Sequence, residues 1–203
     1  MTDLAHDLER NVNEARKLGD VRTLLEVANA AVDQLETAAG VAHGLLNEGQ
    51  LKTLKAAQRI SYNVAADVWP GWEIGLPARS EAELEAAQAL ARRSSVLVEQ
   101  LDQGTLKRGT ATWLIGAFDL ARDKRKEAFA AFGRAARFYA DAPAVKLLAE
   151  GYMAIAAEFL DTISAGEAPE FAWVIAELDK LASEDAKEFR NQLQVARQVF
   201  NHR

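Results

Sequence analysis

Residues 109–142 read GTATWLIGAFDLARDKRKEAFAAFGRAARFYADA, and the organisation of the whole chain can be worked outward from them. Ile115 and Gly116 sit in the first half, and Ala128, Phe132 and Ala135 follow the glycine at intervals of 12, 4 and 3 residues. Steps of three and four put the last three on one face of a helix. A glycine on the helix opposite lacks the Cβ that would hold two backbones apart, so the pair can approach closely with Phe132 filling the space between them. Asp123 supplies the turn signal, and the expected unit is a tight antiparallel helical hairpin.

The same spacing recurs on both sides. Leu4, Leu8, Val12, Ala15 and Leu18 form one stripe, which Gly19 can end in the left-handed conformation, and Asp20 caps the next helix. That helix is expected to run from Val21 towards Asn47 with Leu24, Leu25, Ala28, Ala31, Val32 and Leu35 inward and Gly40 and Gly44 as weak points. A third, over 50–68, carries Leu51, Leu54, Ala57, Ser61, Val64, Ala65 and Val68 and stops at Pro70, which cannot donate the next backbone bond. Residues 69–79 make the only long irregular segment. Ser80 and Glu83 have the spacing of a capping box, so a fourth helix should span 81–103 and close at Gly104. Further helices are expected over 106–122, 125–140, 143–163, 169–182 and 184–201, punctuated by Asp123, Asp141 with Pro143, Gly166 with Pro169, and Ser183. About nine helices joined mostly by short turns predict an all-α fold of stacked antiparallel hairpins. No flexible linker interrupts them, so residues 1–203 read as a single all-helical domain.

Composition agrees with this reading. The 203 residues include 40 Ala and 24 Leu against 13 Val, 6 Ile and 8 Thr, so helix formers outnumber β-branched residues more than twofold and strand-rich folds are nearly excluded. An apolar share of 49% is too high for a disordered chain. The absence of cysteine removes disulfide scaffolds, thiol nucleophiles and thiolate metal sites. The opening Met1–Asp7 lacks the basic and then apolar pattern of a secretory signal, and the longest apolar runs are five or six residues, as in 152–157. A membrane span needs about 20. A cytoplasmic protein without a membrane partner is expected.

The inventory for chemistry is thin. The histidines are His6, His43 and His202, and no Glu-x-x-His pair occurs for a helical di-metal site. No phosphate loop, nucleophile elbow or dinucleotide fingerprint is present. No catalytic residue, metal or cofactor is expected, and the chain reads as not being an enzyme.

Charge is unevenly spread. Residues 1–91 carry 8 basic and 14 acidic side chains, 92–137 carry 10 and 5, and 138–203 carry 6 and 11. In the basic middle, Arg122, Lys124, Arg125 and Lys126 cluster at a turn, with Arg92, Arg93, Lys107, Arg108, Arg134 and Arg137 on neighbouring helices. Such a patch either docks an acidic partner or is satisfied by the chain's own carboxylates. Nucleic acid is not expected, since the net charge is -6 and no binding motif accompanies the patch.

Two further places attract attention. The segment from Trp69 to Pro77 carries Trp69, Trp72, Ile74 and Leu76 where a connector is normally polar. It either folds over the hairpins as a satellite core or presents its tryptophans to a partner. On the third helix Arg59, Tyr62 and Asn63 lie together off the apolar stripe, as plain surface or as hydrogen-bonding groups of a groove that Trp113 and Phe118 would also line.

With Ile115–Gly116, Ala128, Phe132 and Ala135 in place, residues 109–142 resemble a single divergent tetratricopeptide repeat. The family's early tryptophan position holds Thr112, its tyrosine position Asp119 and its proline position Ala140, and no clean second copy lies 34 residues away on either side. The resemblance implies a stack of hairpins whose inner helices hold another protein's peptide or helix in a groove. The family's peptide-carboxylate clamp is missing, because the matching positions are Thr110, Trp113, Leu114 and Ala117. The function expected is therefore a non-catalytic protein-interaction or adaptor module. Its candidate partner-binding residues are Arg59, Tyr62, Asn63, Trp69, Trp72, Trp113, Arg122, Arg125 and Lys126. The alternatives are a bundle that binds an apolar small molecule under residues 69–79 and a structural homodimer.

Overall fold

The computed structural model describes residues 3–40, 45–158, 160 and 168–201. Among them every regular element is helical: α1 (Leu4–Lys17), α2 (Val21–Ala39), α3 (Glu48–Val68), α4 (Glu81–Gln100), α5 (Gly104–Ala121), α6 (Arg125–Phe138), α7 (Pro143–Ala157), α8 (Phe171–Leu181) and α9 (Glu184–Asn201), with one 3₁₀ turn at Pro70–Trp72. The all-α class and the number of helices are those the residue spacing predicts. No described helix is long and apolar enough to cross a membrane.

Helix starts follow cap chemistry closely. The Ser80 hydroxyl accepts from the Glu83 N–H at 3.2 Å while the Glu83 carboxylate accepts from the Ser80 N–H at 2.7 Å, which closes the expected capping box. Asn47 and Gln50 exchange the same reciprocal pair at 2.9 and 3.0 Å at the start of α3. Helix ends depart more from expectation. Helix α2 stops at Ala39 rather than near Asn47, because Gly40 takes φ 68 and breaks the ladder; Gly44 lies outside the described residues. Helix α4 ends at Gln100, where Asp102 as well as Gly104 adopts a left-handed φ (44 and 81). Helix α7 ends at Ala157, short of 163, and the expected turn at Gly166 lies outside the described residues.

The chain forms two compact units. Met1–Val68 with Ser80–Gly104 make the first, and Trp69–Arg79 with Thr105–Arg203 make the second. In the first, α1 packs on α2, α2 on α3 and α3 on α4, and α1 also touches α3 and α2 touches α4. Its core is aliphatic, built from residues such as Leu8, Val12, Leu25, Ala28, Val32, Leu35, Ala57, Ile60, Val64, Leu90 and Ala91. Alanine at the contacts lets the helices lie close. The buried Gln58 amide donates to the Ser94 hydroxyl at 3.0 Å and the Ser61 hydroxyl to the Ala57 carbonyl at 2.8 Å, so these polar groups are satisfied in place. Arg93 of α4 reaches α2 and pairs with Glu36 at 2.8 Å and Asp33 at 2.7 Å.

The second unit packs α6 on α7, α7 on α8 and α9, α8 on α9, and the 3₁₀ turn on α9. Gly116 of α5 faces α6: a Cβ there would stand 2.9 Å from the Ala131 Cβ and 3.1 Å from the Phe132 ring, so the close approach read from the sequence is present. The core of this unit is aromatic. Trp69 has ring neighbours in Trp72, Trp113, Tyr152 and Phe200 at 4.8, 5.5, 5.7 and 5.9 Å between centroids, and Phe132 stacks on Tyr152 at 5.2 Å. The edge contacts of Trp69 with Trp72, Trp113 and Tyr152 suit the positive rim and negative face of each ring. The Trp69 indole donates to the Ala117 carbonyl at 2.9 Å, and a Cβ on Gly71 would collide with that indole, so only glycine lets the turn curl over it.

Candidate functional site

The residues singled out from the sequence fall into three places. On α3, Arg59 is held by Glu9 of α1, and Tyr62 is half-buried with its hydroxyl pushed above the ordinary range by that burial. Arg59 and the exposed Asn63 line a shallow recess of about 150 Å³ with Glu9, Asn13 and Arg16, and Arg16 pairs with Asp67 at 2.7 Å. The charges of this recess are thus met from within.

Trp69 and Trp113 come together, as neighbours in the aromatic core of the second unit. Trp69 has 0% of its surface exposed and Trp113 5%, so neither side chain is presented to a partner, and Phe118 is equally buried. Only Trp72, 42% exposed, keeps an open face, with Ile74 and Leu76 exposed after it. The segment 69–79 therefore packs its first tryptophan as a staple and leaves its tip outside. At the basic turn, the Arg125 side chain is only 11% exposed, pairing with Asp123 at 2.8 Å and donating to the Phe200 carbonyl at 3.2 Å. Arg122 is half-buried and Lys126 exposed. Of the histidines, His43 and His202 lie outside the described residues.

A groove outside these three places is lined from several helices. On α6 and the turn after it, Gly133, Ala136, Arg137 and Ala140 recur at three- and four-residue steps; on α7, Lys146, Glu150 and Met153 do the same. Together with Ala168 and Pro169, which precede α8, and Trp173 on it, they line a groove of about 620 Å³. Apart from Arg137 the α6 side is made of small residues, and a Cβ on Gly133 would meet only the Met153 sulfur, at an ordinary 3.6 Å, so space remains between the helices there. Trp173 is 47% exposed at the rim, unusual for a tryptophan on a short helix. Lys146 and Glu150 neutralise each other at 2.5 Å. Arg137 is exposed and has no ion-pair partner among the described residues, and the same holds for Arg134 one turn before it.

A second recess, about 710 Å³ on the α8–α9 surface, is lined by Asn191, Gln194, Gln198 and Asn201 beside Phe171 and Arg197. Its one cation is already engaged, by Glu158 at 2.7 Å and by stacking 4.5 Å over the Phe171 ring. Val195 and the Phe171 ring give it an apolar part beside the amides, and no cation is left over in it among the described residues.

Sequence spacing placed Arg134 and Arg137 in the basic patch but gave no hint of Met153, Pro169 or Trp173. The stripe Gly133, Ala136, Ala140 was the available signal, since its three- and four-residue steps set it about 100° round from the Ala128–Phe132–Ala135 face. No protein family, curated protein or solved structure matches the chain.

Proposed function

We propose that this chain is a non-catalytic, cytoplasmic protein-interaction module that holds a peptide or helix of another protein in the groove between α6 and α7. The observation that carries the reading is the coincidence, in one groove, of an apolar floor, a half-exposed Trp173 and an arginine with no ion-pair partner among the described residues. Tryptophan and arginine are the side chains that most often dominate binding energy at protein interfaces. The residue matches over 109–142 and the close α5–α6 approach at Gly116 support reading this hairpin as a divergent tetratricopeptide-like repeat.

The test is quantitative affinity capture from native cell extract with the wild-type protein beside Trp173→Ser. Proteins held by the wild type and lost by the variant are the expected result. Identical recoveries on both would overturn the reading, provided circular dichroism shows the variant folded.

A further inference from the structure

We infer that the occupant of the α6–α7 groove is an acidic peptide segment, one that lays an aromatic or branched aliphatic side chain against Met153, Pro169 and Trp173 and sets a carboxylate on Arg137. The inference rests on the interaction-module reading and adds the chemistry of the partner. A groove of about 620 Å³ is larger than one side chain fills and falls within the size range of concave ligand sites. Its thioether, proline and indole lining offers grip to carbon and no pattern of donors for a polar ligand.

Charge then narrows the occupant. Because Lys146 is neutralised by Glu150, the charge left over among the described residues that line the groove is that of Arg137, and Arg134 is exposed one turn before it, outside the lining. Along α6 the exposed basic residues Lys126, Arg134 and Arg137 accompany a single acidic one, Glu127, while Arg125 is already held by Asp123. The planar guanidinium binds a carboxylate through two parallel hydrogen bonds, which fixes orientation as well as sign. A polyanionic nucleic acid fits less well, since it would leave the apolar floor uncovered and meet a chain of net charge -6.

The experiment pans a display library of short random peptides on the intact protein and measures a synthesised winner by fluorescence anisotropy. The panel is wild type, Arg137→Lys, Arg137→Glu and Trp173→Ser, each checked for native helicity. Winners should pair an aromatic, leucine or isoleucine with Asp or Glu within one helical turn. Arg137→Glu should weaken binding about tenfold or more, Arg137→Lys only a few-fold, and added salt should weaken the wild type most. Winners without acidic residues, or binding lost in Trp173→Ser but indifferent to Arg137→Glu, would overturn the inference while leaving the interaction module intact. A labelled single-stranded DNA that displaces the peptide, or a wild-type dimer in light scattering that Arg137→Glu dissociates, would give the groove to a different occupant and overturn it equally.

Discussion

The indole N–H of Trp69 donates to the main-chain carbonyl of Ala117 on α5 across 2.9 Å, in a site with no exposed surface. Its neighbour Trp113, whose ring centroid lies 5.5 Å away, keeps its own N–H buried with no acceptor among the described residues. Two tryptophans in one core therefore differ by one hydrogen bond. Replacing each with phenylalanine removes similar ring volume, but only Trp69→Phe gives up a satisfied polar contact, worth about 0.5–1.5 kcal/mol. Trp69→Phe is expected to be the more destabilising by about 1 kcal/mol in urea unfolding, and equal losses would refute the distinction.

Glycines on α5 and α6 should respond to alanine in opposite directions. At Gly116 the new methyl meets the Ala131 Cβ at 2.9 Å, a contact between two helices that neither can relieve cheaply, so Gly116→Ala should cost about 1–3 kcal/mol. At Gly133 the nearest atom is the Met153 sulfur at 3.6 Å, and the gain in helix propensity should leave Gly133→Ala more stable by about 0.5–1 kcal/mol. Thermal unfolding of the two variants side by side measures the sign.

Tyr152 should contribute to the loss of stability at alkaline pH. Burial pushes its hydroxyl far above the ordinary value, against a smaller opposing effect of the hydrogen bond from the Gln192 amide at 3.0 Å. The folded state therefore keeps a proton that the unfolded state releases near pH 10. Stability from this group is complete below about pH 10 and declines as pH rises beyond it towards the folded value. Tyr152→Phe should flatten that decline while losing some stability at neutral pH; a decline as steep as the wild type's would show that another group sets it.

Asp20 works at the other end of the scale. The Thr23 hydroxyl first, and then the Thr23 N–H at 3.1 Å, hold its carboxyl below the usual range at the start of α2. A depressed carboxylate stabilises the fold above its unfolded pKa of about 3.9, and that contribution disappears as pH falls through the lower folded value. Asp20→Ala should thus be less stable than wild type at neutral pH and converge with it in acid. A constant gap at every pH would mean that the cap acts through shape and not through charge.

Residue spacing carried the fold well and the site poorly, for a physical reason. Periodicity tells which side chains share a helix face, and caps tell where a helix begins, so α4 starts at Glu81 behind Ser80 and Glu83 as read. Helix ends depend on single backbone angles that non-glycine residues also adopt, as Asp102 and Ala182 do at φ 44 and 50, and nothing in the letters marks them. A face read as apolar or polar does not say which neighbour it meets. Trp69 and Trp113 looked available for a partner and are consumed by the core, Arg125 is consumed by Asp123 and Phe200, and the groove is made by α6, α7 and α8 jointly.

The unit that contains α6 to α9 also owns Trp69–Arg79, which the chain threads out of its place between α3 and α4. No single cut can therefore excise either unit whole. A fragment ending at Gly104 would carry off a tryptophan whose ring neighbours Trp113, Tyr152 and Phe200 stay behind. Bare indole in water invites aggregation, so truncation libraries should return insoluble pieces. Complementing such a stub with the remaining polypeptide in trans offers a built-in fluorescent report of reassembly.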